Sequence, residues 1–266
     1  MRINNGRYKL KEFDNKGIGA YLNLDRWGLT TFTLKIIAMV TMVFDHIAVI
    51  FLTDYGNMYE AFRIVGRISF PIFCFVLVEG YFHTKNRMSY ATRLGIFALI
   101  SEVPYDMMYG SFFNLEKQNV MFTLFFGFMV IWVLDLITGF AIRYPEKLVS
   151  RVGVLRLNYL AELIVMALGF GAAYFLNTSY SYAGVLLIIC FYVFRKHYIG
   201  KIASNIVFNM GMFGYGIQWA GVLSILPIAL YNGKAGCRKG KYVFYVFYPL
   251  HILLLVMIKK WIFLLK

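Results

Sequence analysis

Apolar residues in this chain come in runs long enough to cross a bilayer, and this restricts the fold more than any other feature. Nine runs can be marked, at residues 33–52, 64–81, 90–109, 120–141, 157–176, 180–194, 202–213, 217–231 and 242–263. A hydrocarbon core of about 30 Å takes about 20 helical residues to span. Helices or closed barrels alone satisfy their backbone there. The expected architecture is an all-α polytopic transmembrane bundle of about nine helices with short loops. Runs six to eight are short, and the seventh, which carries Asn205 and Asn209, is the weakest; the count falls to eight if that run is re-entrant or interfacial. With 60% apolar and 15% charged residues, the composition excludes both a water-soluble domain and a disordered chain. Residues 1–28 read as a basic cytoplasmic tail or interfacial segment, and 29–266 as one transmembrane domain. The opening is polar through Arg26, so no cleavable leader is expected and the first run should remain as a helix.

Lys and Arg number 27 against 13 Asp and Glu, a net charge of +14. In a membrane protein such an excess belongs to cytoplasmic loops rather than to nucleic acid. With the N-terminus in the cytoplasm, the basic clusters alternate as the positive-inside rule expects. Inner stretches hold Lys85, Arg87 and Arg93, then Arg143 to Arg156, Arg195 to Lys201, and Lys234, Arg238, Lys239 and Lys241. Outer stretches hold Lys117, with Arg63 and Arg67 at a helix entrance; the terminal Lys259, Lys260 and Lys266 are the main exception. Cys74, Cys190 and Cys237 suit neither a zinc site nor a disulfide framework.

Ionisable residues inside apolar helices are costly and tend to be functional. Run one carries Lys35, Asp45 and His46. Lys35, Met39, Met42 and His46 share one helix face, with Asp45 turned about 100° away. Run two carries Arg67 and Glu79, run three Arg93, Glu102 and Asp106, and run nine His251. His46 and Glu102 lie roughly 9 Å from the outer ends of their runs at 1.5 Å per residue, and His251 near the midplane. Asp45, His46, Arg67, Glu102 and His251 are therefore expected to meet in the outer half of the bundle, with Glu79, His83 and Lys85 at the inner face.

The chemical reading of these residues is a buried His acting as general base. A carboxylate, best Glu102, would orient its second nitrogen, and Arg67 or His251 would face a developing oxyanion. The same groups also suit interhelical hydrogen bonds and salt bridges that hold a bundle, and spacing does not separate the two. No compact ligand pattern supports zinc.

The ordered polar blocks resemble those of the TraX family of integral membrane proteins. They read LKIIAMVTMVFDHI (34–47), GRISFPIFCFVLVEGYFHTKN (66–86), YATRL (90–94), ISEVPYD (100–106), NVMFTL (119–124), LYNGKAG (230–236) and FYVFYPLHIL (244–253). The resemblance covers residues 29–255. The family's founding member acetylates the N-terminal amine of a conjugative pilin. The family is also distantly similar to membrane acyltransferases that use acyl-CoA and an intramembrane His to modify surface glycans. The resemblance thus implies a multi-pass protein of a bacterial-type inner membrane. It would move an acyl group, in the first place acetyl, from cytoplasmic acyl-CoA to an amine or hydroxyl on a protein N-terminus, surface glycan or small molecule. His46 is then the leading base, with Asp45, Arg67, Glu102 and His251 as active-site candidates. Lys35, His83, Lys85, Arg87, Arg93, Lys234, Arg238, Lys239 and Lys241 are candidates for the CoA phosphates, with the turn at Asn232 and Gly233 offering backbone N–H groups. A transporter or flippase, or a membrane assembly scaffold, is the rival class.

Overall fold

A computed structural model describes residues 27–143, 151–213, 216–237 and 241–265. The tail to Arg26, together with Arg238 and Lys239, lies outside them. Helices run α1 (Thr31–Phe51), α2 (Gly56–Gly66), α3 (Ser69–His83), α4 (Arg87–Met108), α5 (Val120–Arg143), α6 (Arg151–Phe175), α7 (Ser181–Val193), α8 (Tyr198–Ile206), α9 (Ile225–Ala229) and α10 (Lys241–Leu264). A π turn, Val207–Gly211, extends α8, and a 3-10 stretch, Ile217–Ser224, leads into α9. Among the described residues there is no β-strand, only the isolated bridges Leu29–Tyr231 and Gln118–Thr178.

Five helical stretches are long and apolar enough to cross a membrane: Thr31–Phe51, Gly56–His83, Val120–Gly139, Leu157–Phe175 and Tyr242–Leu264. Ser181–Val193 and Ile217–Ala229 are apolar but shorter. Run two starts earlier than the apolar residues indicate, because α2 precedes α3 with only Arg67 and Ile68 between them. Pro71 is tolerated in the first turn of α3, where its missing N–H would have no helical partner. The described chain passes nine times between two ends of the bundle. Residues 52–55, 109–119 and 176–180 turn at one end, where Phe213 also lies against Tyr180. Residues 84–86, 194–197 and 230–237 turn at the other, beside the start of α1.

α3 is buried on nearly every side, from Ser69 to Tyr81, as an apolar helix at the centre of a bundle should be. It packs on α1, α5 and α7, and α10 lies across α4 and α1. α6 is peripheral, and Leu157, Leu160, Leu163, Ile164 and Leu168 point outward, which suits contact with lipid chains. Each end has its own lashing. At the tail-proximal end, Leu29 N–H donates to the Leu230 carbonyl at 2.7 Å, Asn232 N–H to Leu29 at 2.9 Å, Thr31 N–H to Lys234 at 2.9 Å and Phe32 N–H to Ala235 at 3.1 Å. These carbonyls cap the open N–H groups of α1. At the far end, Gln118 N–H donates to the Asn177 carbonyl at 3.1 Å, and Thr123 donates to Thr178 at 3.0 Å.

Candidate functional site

The first and last long helices bring two histidines together. Met39, Met42 and His46 form a buried stripe on α1, as their spacing requires. His251 is buried on α10. His46 Nδ1 lies 2.6 Å from His251 Nε2, and the rings are within 15° of parallel with centroids 4.8 Å apart. His251 Nδ1 is 2.7 Å from the Phe247 carbonyl. A carbonyl only accepts, so His251 Nδ1 carries hydrogen. In the neutral ring Nε2 is then bare and accepts from His46 Nδ1–H. This leaves the lone pair of His46 on Nε2. His251 also stacks on Phe247, at 4.7 Å and 13°, so its ring is held by both packing and hydrogen bonding.

His46 lines a cavity of about 100 Å³ at the far end of the bundle; His251 stands behind it. Such a volume holds several water-sized groups. Asp45, Arg63, Arg67, Lys117, Tyr105, Tyr180 and Tyr248 also line it. Asp45 does not face His46. Its Oδ2 accepts from Arg63 Nη1 at 2.7 Å, and its Oδ1 accepts from Arg67 Nη2. Gly66 permits this approach, because a Cβ there would collide with the Asp45 side chain. Arg67 Nη1 also reaches the Tyr180 hydroxyl and Gln218 Oε1, both at 3.4 Å. Gln218 Nε2 continues the chain to Asn209 Oδ1 at 2.8 Å, Asn209 Nδ2 to Asn205 Oδ1 at 2.7 Å, and Asn205 Nδ2 to Ser224 at 2.8 Å. Tyr180 stacks on Phe70 with centroids 3.6 Å apart.

Glu102 is not the partner of His46; His251 takes that place. Glu102 Oε1 accepts from the backbone N–H of Asn119 at 2.9 Å and from its side-chain amide, and Asn119 Nδ2 also donates to the Ala98 carbonyl at 2.8 Å. Depth along a helix is legible from spacing, but the direction a side chain faces depends on how helices rotate against one another. Glu102 turned toward the start of α5 instead. For the same reason His251, expected beside an oxyanion, sits on the opposite edge of the His46 ring from the free lone pair.

The candidates for CoA phosphates gather at the tail-proximal end, and several are engaged with the protein itself. Arg87 pairs with Asp135 at 2.9 Å, and Asp135 also accepts from Tyr81 at 2.8 Å and Tyr192 at 3.2 Å. Arg93 lies 5.7 Å from the ring centroids of both Tyr90 and Tyr245. Lys35 stands 4.9 Å from the centroid of Phe244, and His83 Nδ1 donates to the Glu79 carbonyl at 2.7 Å. Lys85, Gly233 and Lys234 are exposed. Asn232 does not offer a bare turn to an anion: its Nδ2 donates to the Gly28 carbonyl at 2.9 Å, and its Oδ1 accepts from Lys234 N–H at 3.0 Å. Arg238, Lys239 and the side chain of Lys241 lie outside the described residues. Glu79 holds Arg195 through two bonds, of 2.9 and 3.2 Å, an ion pair that sequence spacing does not reveal. Among the described residues no cluster of three or more His, Cys, Asp or Glu forms a metal site.

Arg63 and Lys117 were legible only as loop-side charges. The signal that marks them is their exception to the charge rule: they are cations on the end where cations are scarce, and with Arg67 they converge on one cavity. Comparison with known proteins finds relatives of this chain by sequence. The family described as TraX protein matches over residues 31–259. A protein of Dichelobacter nodosus named "Probable fimbrial assembly protein FimC, serogroup H1" is 31% identical over 260 residues, covering 88% of this chain and 97% of the relative. No solved structure matches.

Proposed function

The chain belongs to the TraX family, and from that premise we propose that it is an integral membrane acyltransferase using acyl-CoA. The acceptor is an amine or hydroxyl reaching the far end of the bundle. In this reading the protein lies in a bacterial-type inner membrane with the tail-proximal end in the cytoplasm. The printed name of the relative, a fimbrial assembly protein, favours a surface-fibre subunit as the acceptor-bearing molecule. The observation that carries the proposal is the histidine pair, which leaves a bare Nε2 on His46 at a cavity walled by Arg67.

The chemistry follows from those atoms. Nε2 of His46 accepts the proton of the attacking amine or hydroxyl as the new bond to the acyl carbon forms. Arg67 faces the carbonyl oxygen that takes up negative charge, and Asp45 holds the guanidinium in place. His251 accepts from Nδ1–H of His46 throughout, so the ring keeps its aim while it carries the proton. When the carbon–sulfur bond breaks, the His46 imidazolium returns its proton to the departing sulfur. No covalent enzyme intermediate is required. At the other end, Lys85 and Lys234 are exposed ammonium groups suited to CoA phosphates, alongside the strapped 230–237 turn.

The broken seventh and eighth passes favour a second reading, a transporter, since interrupted helices with buried polar groups line substrate paths in that class. Release of CoA thiol separates the two, because transport consumes no acetyl-CoA. With purified protein in detergent and acetyl-CoA plus a small primary amine, His46→Ala is expected to lower CoA release by roughly 10²–10⁴-fold with an unchanged thermal melt. Wild-type turnover in a normally melting His46→Ala protein would make this histidine structural.

A further inference from the structure

The cavity in front of His46 holds more positive charge than a neutral acceptor needs. Arg63, Arg67 and Lys117 line it, and Asp45 is the one carboxylate among its described lining residues. Asp45 bonds both arginines, which leaves two positive charges without a countercharge in the lining. The carboxylates of Glu102 and Asp106 lie outside the lining and turn to other partners: Glu102 accepts from Asn119, and Asp106 Oδ2 accepts from Asn114 N–H at 2.7 Å. Arg63 is also under-used. Its Nε is buried and makes no hydrogen bond, although a guanidinium that donates fully could bind an anion in a fork. Lys117 is exposed on the loop at the mouth, where an ammonium attracts incoming anions.

We propose that this cavity selects an acceptor carrying an anionic group close to its nucleophile, a phosphate ahead of a carboxylate. Two uncompensated positive charges match a phosphate monoester, which carries about −1.5 to −2 at neutral pH, better than a single carboxylate. The anion sits against Arg63 and Lys117, and its neighbouring amine or hydroxyl then points at Nε2 of His46. Calling the occupant the acyl acceptor rests on the acyl-transfer reading; the anion site does not.

Three small probes separate the possibilities. Phosphoethanolamine and β-alanine each carry an amine near an anion, and ethanolamine carries the amine alone. Isothermal titration on the purified full chain in detergent at low salt is expected to show phosphoethanolamine binding at least about tenfold tighter than ethanolamine, with β-alanine between. Added salt should shrink the difference. Lys117→Gln, on an exposed loop where folding is not at stake, should cut the preference at least about fivefold, and Arg63→Gln should do likewise. Equal binding of the three probes, or a preference untouched by both substitutions, would overturn the anion site. Adding acetyl-CoA gives the second readout. Preferential binding without CoA release from any probe supports the anion site and counts against acyl transfer. Equal KM for ethanolamine and phosphoethanolamine, with CoA released from both, overturns the anion site and leaves the acyl-transfer reading standing.

Discussion

A carboxylate behind a catalytic imidazole neutralises the charge that forms, at the cost of burying a permanent anion. A second neutral histidine avoids that anion within a membrane, where an uncompensated charge is expensive. In the acyl-transfer reading His251 is in this sense a positioning residue: it acts through His46. Its Nε2 is used only as an acceptor, which a glutamine carbonyl oxygen can imitate. His251→Ala should therefore lower kcat roughly 10–100-fold with little change in acceptor KM, and His251→Gln should recover a large part of that loss. Steady-state kinetics of the two variants check it, and equal damage from both would show that the ring has another role. His46, Arg67 and His251 were legible in the sequence because ionisable residues stand out within apolar runs. Their pairing was not. His46 and His251 are 205 positions apart, and helical periodicity says which residues share a face, not which face meets which helix.

At the level of elements, apolar length and composition recovered the long passes but not the form of passes seven and eight. Asn205, Asn209, Gln218 and Ser224 are buried, and a polar group in that setting must find a partner. They find one another, and the backbone accommodates them with a π turn and a 3-10 stretch. Gly221 lets Asn209 come close, since a Cβ there would strike the Asn209 side chain. A hydropathy window registers four polar residues but not that they satisfy each other across two broken helices. Asn119 does a similar job between α4 and α5, tying the Ala98 carbonyl, Glu102 and the Met121 N–H, the last at 2.9 Å. Asn119→Ala should destabilise by about 1–3 kcal/mol, seen as a lower melting temperature in detergent. Glu102→Gln should be much milder, because Oε1 still accepts. Comparable losses from both would show that the carboxylate charge matters more than its acceptor atom.

For the whole molecule, the alternation of passes places the 109–119 loop opposite the 84–86 and 230–237 turns. The positive-inside rule predicts that the 84–86 and 230–237 turns face the cytoplasm. A single cysteine at Lys85 should then react with a membrane-impermeant maleimide only in inside-out vesicles, and one at Phe113 only in intact right-side-out cells. Reversed labelling would invert the orientation without altering the fold. The bundle is also closed on itself, with the start of α1 strapped to residues 230–235 and its far half facing α10. A ribosome delivers His46 with the first helix and His251 with the last. Through most of synthesis the leading histidine is an imidazole without its mate, and the strap that seats its helix does not yet exist. The histidine pair is thus completed only by the final step of insertion, and in the acyl-transfer reading a nascent chain stalled before its last helix can enter the membrane but should release no CoA.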